Sequence, residues 1–165
     1  MPPQLAAFLI HRVRMSRIIA LDYGERRIGV AVSDPTRTIA SPLTTLQRRA
    51  GKRPPWPEIG ALIAEQEATE ALIGLPLPLS GEENEWVAEV RAFGAELERR
   101  TGLPVHWMDE RMSSVQAERA VRGSGLRKGQ REEKGRVDAA AAAIILSSYL
   151  ALRRNQAMNE AETDR

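Results

Sequence analysis

Arg17-Ile-Ile-Ala-Leu-Asp22-Tyr-Gly-Glu-Arg-Arg27-Ile-Gly-Val-Ala-Val-Ser33 decides how this chain folds. Two β-branched runs, Arg17–Asp22 and Ile28–Ser33, stand so close together that only an antiparallel hairpin joins them. Asp34-Pro35 closes the hairpin, and residues 38–46 supply a third, weaker strand. Pro42 places that strand at a sheet edge or an irregularity, because proline has no amide hydrogen to give a ladder.

Downstream the pattern changes from meander to alternation. A Pro/Gly-rich basic loop, 51–57, precedes a helix from Pro57 to about Thr69 with Ile59, Leu62 and Ile63 on one face. Ala71–Leu75 reads as a short strand stopped by Pro76 and Pro78. Ser80 and Glu83 have capping-box spacing for a helix that runs to about Arg100 and ends at Gly102 and Pro104. Val105–Asp109 is a fifth strand, and Ser113 with Gln116 opens a helix to about Arg122. A loop, Gly123 to Gly135, leads to a last helix, Val137 to Arg153, whose alanine run permits close packing on a sheet. This order predicts an α/β fold, a mixed five-stranded sheet with helices on both faces. One domain is expected over residues 15–154, with an extension at 1–14 and a frayed polar tail at 155–165.

The 165 residues, 42% apolar and 28% charged, suffice for one core without staples. Cysteine is absent, which excludes disulfides and thiolate metal sites, and only His11 and His106 offer imidazole. A metal here is therefore held by oxygen. No stretch reaches the roughly 18 apolar residues of a membrane span, so a cytoplasmic protein without membrane partners is expected. Net charge is only +2 with a pI of about 9.4, yet the basic residues are grouped. Arg48, Arg49, Lys52 and Arg53 form one group, and a second spans Arg119 to Arg136. Such patches suit a polyanion, or are simply a solvated face.

Asp22, Glu110 and Asp138 each sit where an apolar run meets a turn or a helix start. Singly each has a local explanation: a turn aspartate, or acids favoured by a helix N-terminus. Jointly they predict more. If the strands bearing Asp22 and Glu110 are parallel and adjacent, both carboxylates reach one sheet edge, and the helix beginning at Asp138 adds a third. Three carboxylates fit Mg²⁺ or Mn²⁺, and two ions about 3.5–4 Å apart can activate water and stabilise a leaving oxygen in phosphodiester hydrolysis. Arg26, Arg27 and Arg111 adjoin these acids and are expected either to hold phosphate or to pair with a carboxylate. Arg127, Lys128 and Arg131 lie in the basic loop, placed to clamp a nucleic-acid backbone. His106, Trp56, Trp86 and Trp107 read as packing residues.

These segments also resemble a known family. The Arg17–Asp34 hairpin, Gly74-Leu-Pro-Leu with Gly81, Asp109-Glu-Arg and Val137-Asp-Ala-Ala-Ala are similar, in order and spacing, to the successive motifs of the YqgF/RuvX family of RNase H-like nucleases. The resemblance spans about Arg17 to Leu152. It implies an RNase H-like fold, metal-dependent cleavage of structured nucleic acid, and Asp22, Glu110 and Asp138 as the acidic residues. Two roles follow from it: maturation of the 5′ end of pre-16S ribosomal RNA, which is the favoured expectation, and resolution of Holliday junctions by a homodimer. A non-catalytic nucleic-acid scaffold is the alternative of another class. Three uncompensated acids on a binding face argue against it.

Overall fold

The computed structural model describes residues 3–4, 15–115 and 131–164. Five strands, β1 (Arg17–Tyr23), β2 (Arg27–Ser33), β3 (Ala40–Gln47), β4 (Ala68–Leu75) and β5 (Val105–Asp109), form one sheet in the order β3-β2-β1-β4-β5. The β1–β2 and β2–β3 pairs are antiparallel, whereas β1–β4 and β4–β5 are parallel. Pro42 lies in the edge strand β3, where the ladder shifts register opposite Val30 and Ala31. The mixed sheet expected from the sequence is thus present.

Alternation along the strands divides the core in two. Ile19, Leu21 and Tyr23 of β1 face α1 (Trp56–Glu65) and α2 (Glu85–Thr101), packing with Ile59, Val87, Val90, Phe93 and Leu97. Ile18 and Ala20 face the other way, toward Ala141, Ala142, Ile145, Leu146 and Leu150 of α3 (Arg131–Thr163). Ala31 opposite Ala141 and Ala142 keeps that layer thin. Asp22 continues the Ile18–Ala20 parity, and Glu110 continues that of Met108, so both belong to the α3 side of the sheet.

Several boundaries differ from expectation for local reasons. α1 stops at Glu65 because Glu67 takes a left-handed conformation, φ +52°, and β4 then starts at Ala68. The N-cap of α2 is Asn84, whose side chain accepts from the Val87 amide at 3.0 Å. Ser80 instead lies in a turn with Gly81 at φ +78°, and Glu83 is paired with Arg91. α3 extends beyond both expected ends, taking in 131–135 of the supposed loop and the tail to Thr163. Nothing between Asn155 and Thr163 is Gly or Pro, and Gln, Ala, Met and Glu favour helix even when solvated. The helix expected from Ser113 to Arg122 lies, after Val115, outside the described residues, as does most of the 1–14 extension. Among the described residues, no helix is long and apolar enough to cross a membrane.

Glu70 ties the far end of the sheet together. Its carboxylate meets Arg37 at 2.7 Å and His106 at 2.8 Å, with Arg153 of α3 at 3.9 Å. His106, read as a packing residue, is therefore a partner of Glu70, with its ring beside Tyr149. Burial pushes the Glu70 carboxyl up, but Arg37 and His106 outweigh it and hold it below its ordinary value of 4.5. A group lowered on folding contributes stability above its unfolded pKa and loses it as pH falls through the folded one. Glu70→Gln is expected to cost about 2 kcal/mol at neutral pH. In urea melts the gap between wild type and variant should stay constant above pH 4.5 and close on further acidification.

Candidate active site

A cleft of about 230 Å³ opens at the end of the sheet where β1 and β4 finish, lined by Asp22, Tyr23, Glu25, Trp86, Glu110 and Asp138. The three carboxylates singled out from the sequence thus face one space. Their supports differ. Asp22, 8% exposed, is the penultimate residue of β1, facing Gly29 across the hairpin. Glu110, 2% exposed, opens a 3-10 turn directly after β5, where Asp109 accepts the Arg111 amide and Ser113 donates to the Glu110 carbonyl. Asp138 lies one turn before Ala141 and Ala142 on the stripe of α3 that packs on the sheet.

The strands bearing Asp22 and Glu110 are parallel but not adjacent, because β4 runs between them. Gly74 on β4 makes room for the Glu110 side chain between the two. A Cβ there would stand 2.8 Å from Glu110 Oε1 and 2.8 Å from Ile145 Cδ1, so the Glu110 side chain lies over the bare glycine backbone. Gly29 does the same for the third acid, since a Cβ there would stand 2.0 Å from the Asp138 carbonyl oxygen. Both glycines stand in the sequence motifs, but only tertiary contact reveals their roles.

The basic residues are placed unequally. Arg27 donates from Nε to Asp138 Oδ2 at 2.6 Å, each side chain being 27% exposed. Arg26 is exposed in the hairpin turn. Arg111 is held by Asp109 through Nε and Nη2, at 3.0 and 2.6 Å, and holds that carboxyl below the usual range. Of the two outcomes expected for these arginines, Arg27 and Arg111 therefore show carboxylate pairing. Arg127 and Lys128 lie outside the described residues. Arg131 opens α3, and its side chain is likewise outside them.

Trp86, read from the sequence as a packing residue, and Tyr23, which that reading did not single out, are wall residues of the cleft. Trp86 stacks on Tyr23 at 5.6 Å, so it packs as expected while also lining the cleft. Burial pushes the Tyr23 phenol up to about 12, with Arg48 opposing and Glu89 reinforcing the shift. Tyr23 therefore stays protonated at neutral pH, donating to Glu89 Oε1 at 3.1 Å. Its position one residue after Asp22 was the available signal.

The donor set suits a hard divalent cation: three carboxylates, two of them buried, where like charges repel unless a cation joins them. Among the described residues, no three such side chains are yet gathered tightly enough to hold an ion. Asp138 is engaged with Arg27 through Oδ2.

Comparison with known proteins agrees with the motif reading. The family model described as "RuvX: Holliday junction resolvase" matches residues 16–152. A protein of Maridesulfovibrio salexigens, named "Putative pre-16S rRNA nuclease", is 38% identical over 135 residues, covering 82% of this chain and 98% of its own. One of the same name from Koribacter versatilis is 43% identical over 134 residues, covering 81% and 86%. Among solved structures, T. thermophilus RuvC in complex with Holliday junction substrate superposes with a TM-score of 0.52 at 17% identity. That match covers 84% of this chain and 96% of RuvC, a likeness of fold. The RNase H-like architecture and the matched span agree: the chain belongs to the RuvX family.

Proposed function

We propose that this protein is a metal-dependent endonuclease that processes the 5′ end of precursor 16S ribosomal RNA. The observation that carries the reading is the convergence of Asp22, Glu110 and Asp138, from three separate elements, on one cleft. The names of relatives at 38% and 43% identity support the RNA substrate. Asp22, Glu110 and Asp138 are the residues that would hold Mg²⁺ or Mn²⁺. Bound there, such ions supply an activated water and charge neutralisation at the scissile phosphate.

The remaining steps belong to the chain. Arg27 exchanges Asp138 for a substrate phosphate, a trade between two charge-assisted pairs of similar strength. Tyr23 and Trp86 form a rigid wall that restricts how a strand enters. Arg26, Arg127, Lys128 and Arg131 add phosphate contacts, as does Arg111 on leaving Asp109.

A second reading, cutting of four-way DNA junctions, is favoured by the description of the family. It calls for two sites related by a two-fold axis, whereas trimming RNA needs one. A side-by-side assay separates them, presenting precursor 16S RNA and a four-way junction to the purified protein with Mg²⁺ or with EDTA. Cleavage of the RNA near the mature 5′ end, abolished by EDTA and restored by Mg²⁺ or Mn²⁺, is the expected result. Paired symmetric cuts in the junction with the RNA intact would transfer the assignment to the second reading. Tight binding without turnover under every condition would leave a scaffold.

A further inference from the structure

The basic group Arg48–Arg53 takes no part in the carboxylate cleft, yet it is folded with care. A second cleft, of about 640 Å³, lies between the start of α1 and the end of α2, lined by Arg49, Arg53, Trp56, Ile59, Arg100 and Thr101. It is the larger of the two, and three arginines, Arg49, Arg53 and Arg100, stand around its mostly apolar wall.

Arg48 fixes this cleft relative to the catalytic one. Its side chain is only 4% exposed, and it donates to the carbonyls of Gly24 at 2.9 Å, Glu25 at 3.0 Å and Lys52 at 2.7 Å while lying over the Tyr23 ring. The loop is closed again by the Arg49 amide on the Arg53 carbonyl at 2.8 Å, and Lys52 is held at φ +59°. A non-glycine residue in that region marks a backbone shape imposed by its surroundings. The basic loop is therefore anchored to the turn that follows Asp22.

Charge in this region is incompletely balanced. Glu96 alone serves both Arg99 and Arg100, and among the described residues neither Lys52 nor Arg53 forms an ion pair. Arg49 is paired with Glu58, but the two side chains are 51% and 48% exposed. Exposed pairs are worth about 0–1 kcal/mol, so an incoming phosphate can replace the glutamate at little cost. Trp56 does not offer a free stacking face: Phe93 stacks on it at 5.4 Å and Arg100 lies over it at 4.8 Å. What the cleft presents to a ligand is positive charge.

Two ring-to-ring steps, Tyr23 to Phe93 at 4.3 Å and Phe93 to Trp56 at 5.4 Å, join the wall of the catalytic cleft to the wall of the second. We propose that the α1–α2 cleft is a second nucleic-acid site that grips the phosphodiester backbone away from the scissile bond and so positions the strand for cutting. The proposal rests on the nuclease reading above.

Its test uses the full chain carrying Asp22→Asn, so that bound nucleic acid stays intact, with labelled precursor 16S RNA and a labelled four-way junction as probes. Adding Arg49→Gln and Arg53→Gln is expected to reduce the slope of log affinity against log salt by about 1.5, because each lost phosphate contact removes about 0.7–0.9. Glu58→Gln, which releases Arg49 and removes no cation, is expected to tighten binding about twofold, a readout independent of any folding defect in the double variant. An unchanged slope in a double variant that melts like its parent, or weaker binding by Glu58→Gln, overturns the proposal. Loss of slope together with no cleavage by the wild type of either probe leaves the second site standing and removes the nuclease reading.

Discussion

Asp22→Asn is expected to bind precursor 16S RNA within about twofold of wild type while cutting it on the order of 100-fold more slowly or worse at saturating Mg²⁺, a loss of about 2.7 kcal/mol of transition-state stabilisation. The substitution keeps the size and planarity of the side chain, so the 8% exposed site should stay packed. What changes is charge. A neutral amide oxygen holds a hard dication less tightly than a carboxylate, and the set is left with only Glu110 and Asp138 to supply charge. Removing a negative charge from the binding face does not oppose a polyanion, which is why affinity and turnover should separate. Single-turnover cleavage, filter binding and Mg²⁺ calorimetry on the same preparation measure the three quantities. Wild-type turnover by the variant would refute the role given to Asp22.

Gly29→Ala is expected to destabilise the protein by about 3 kcal/mol or more, beyond the usual cost of overpacking, and to lower Tm by roughly 10 °C. The new Cβ would stand 2.0 Å from the Asp138 carbonyl oxygen and 3.1 Å from the Ala139 amide nitrogen. Both are backbone atoms, so no rotamer change relieves the clash, and α3 must lift from β2. Asp138 lifts with it, and activity should fall further than stability alone explains. Thermal melts with single-turnover assays well below Tm check both parts. A variant that melts like wild type would mean that α3 approaches the sheet less closely than described.

Most of the fold was legible because burial on two faces imposes short periods that survive in sequence. The tight Arg17–Ser33 hairpin, the Pro42 edge and the alternation after residue 50 gave the mixed sheet. The errors fell where local signals compete. Asn84 outcompeted Ser80 as a cap, and Glu67 broke a helix through a conformation that its residue type does not advertise. The solvated end of α3 was missed because a helix with no buried face leaves no periodic trace.

By itself the sequence determined the element order, the oxygen-only donor set and the identity of three acids at element ends. The strand period of two further implies that Asp22 shares a side with Ala20. Only the tertiary structure decided that this side is the one covered by α3, and that β4 separates the two acid-bearing strands. Gly74 then leaves room for Glu110 and Gly29 for the Asp138 backbone, and Asp138 is held by Arg27. The physical reason is range: backbone periodicity is a property of neighbours in sequence, whereas a missing Cβ matters only through what another element places against it.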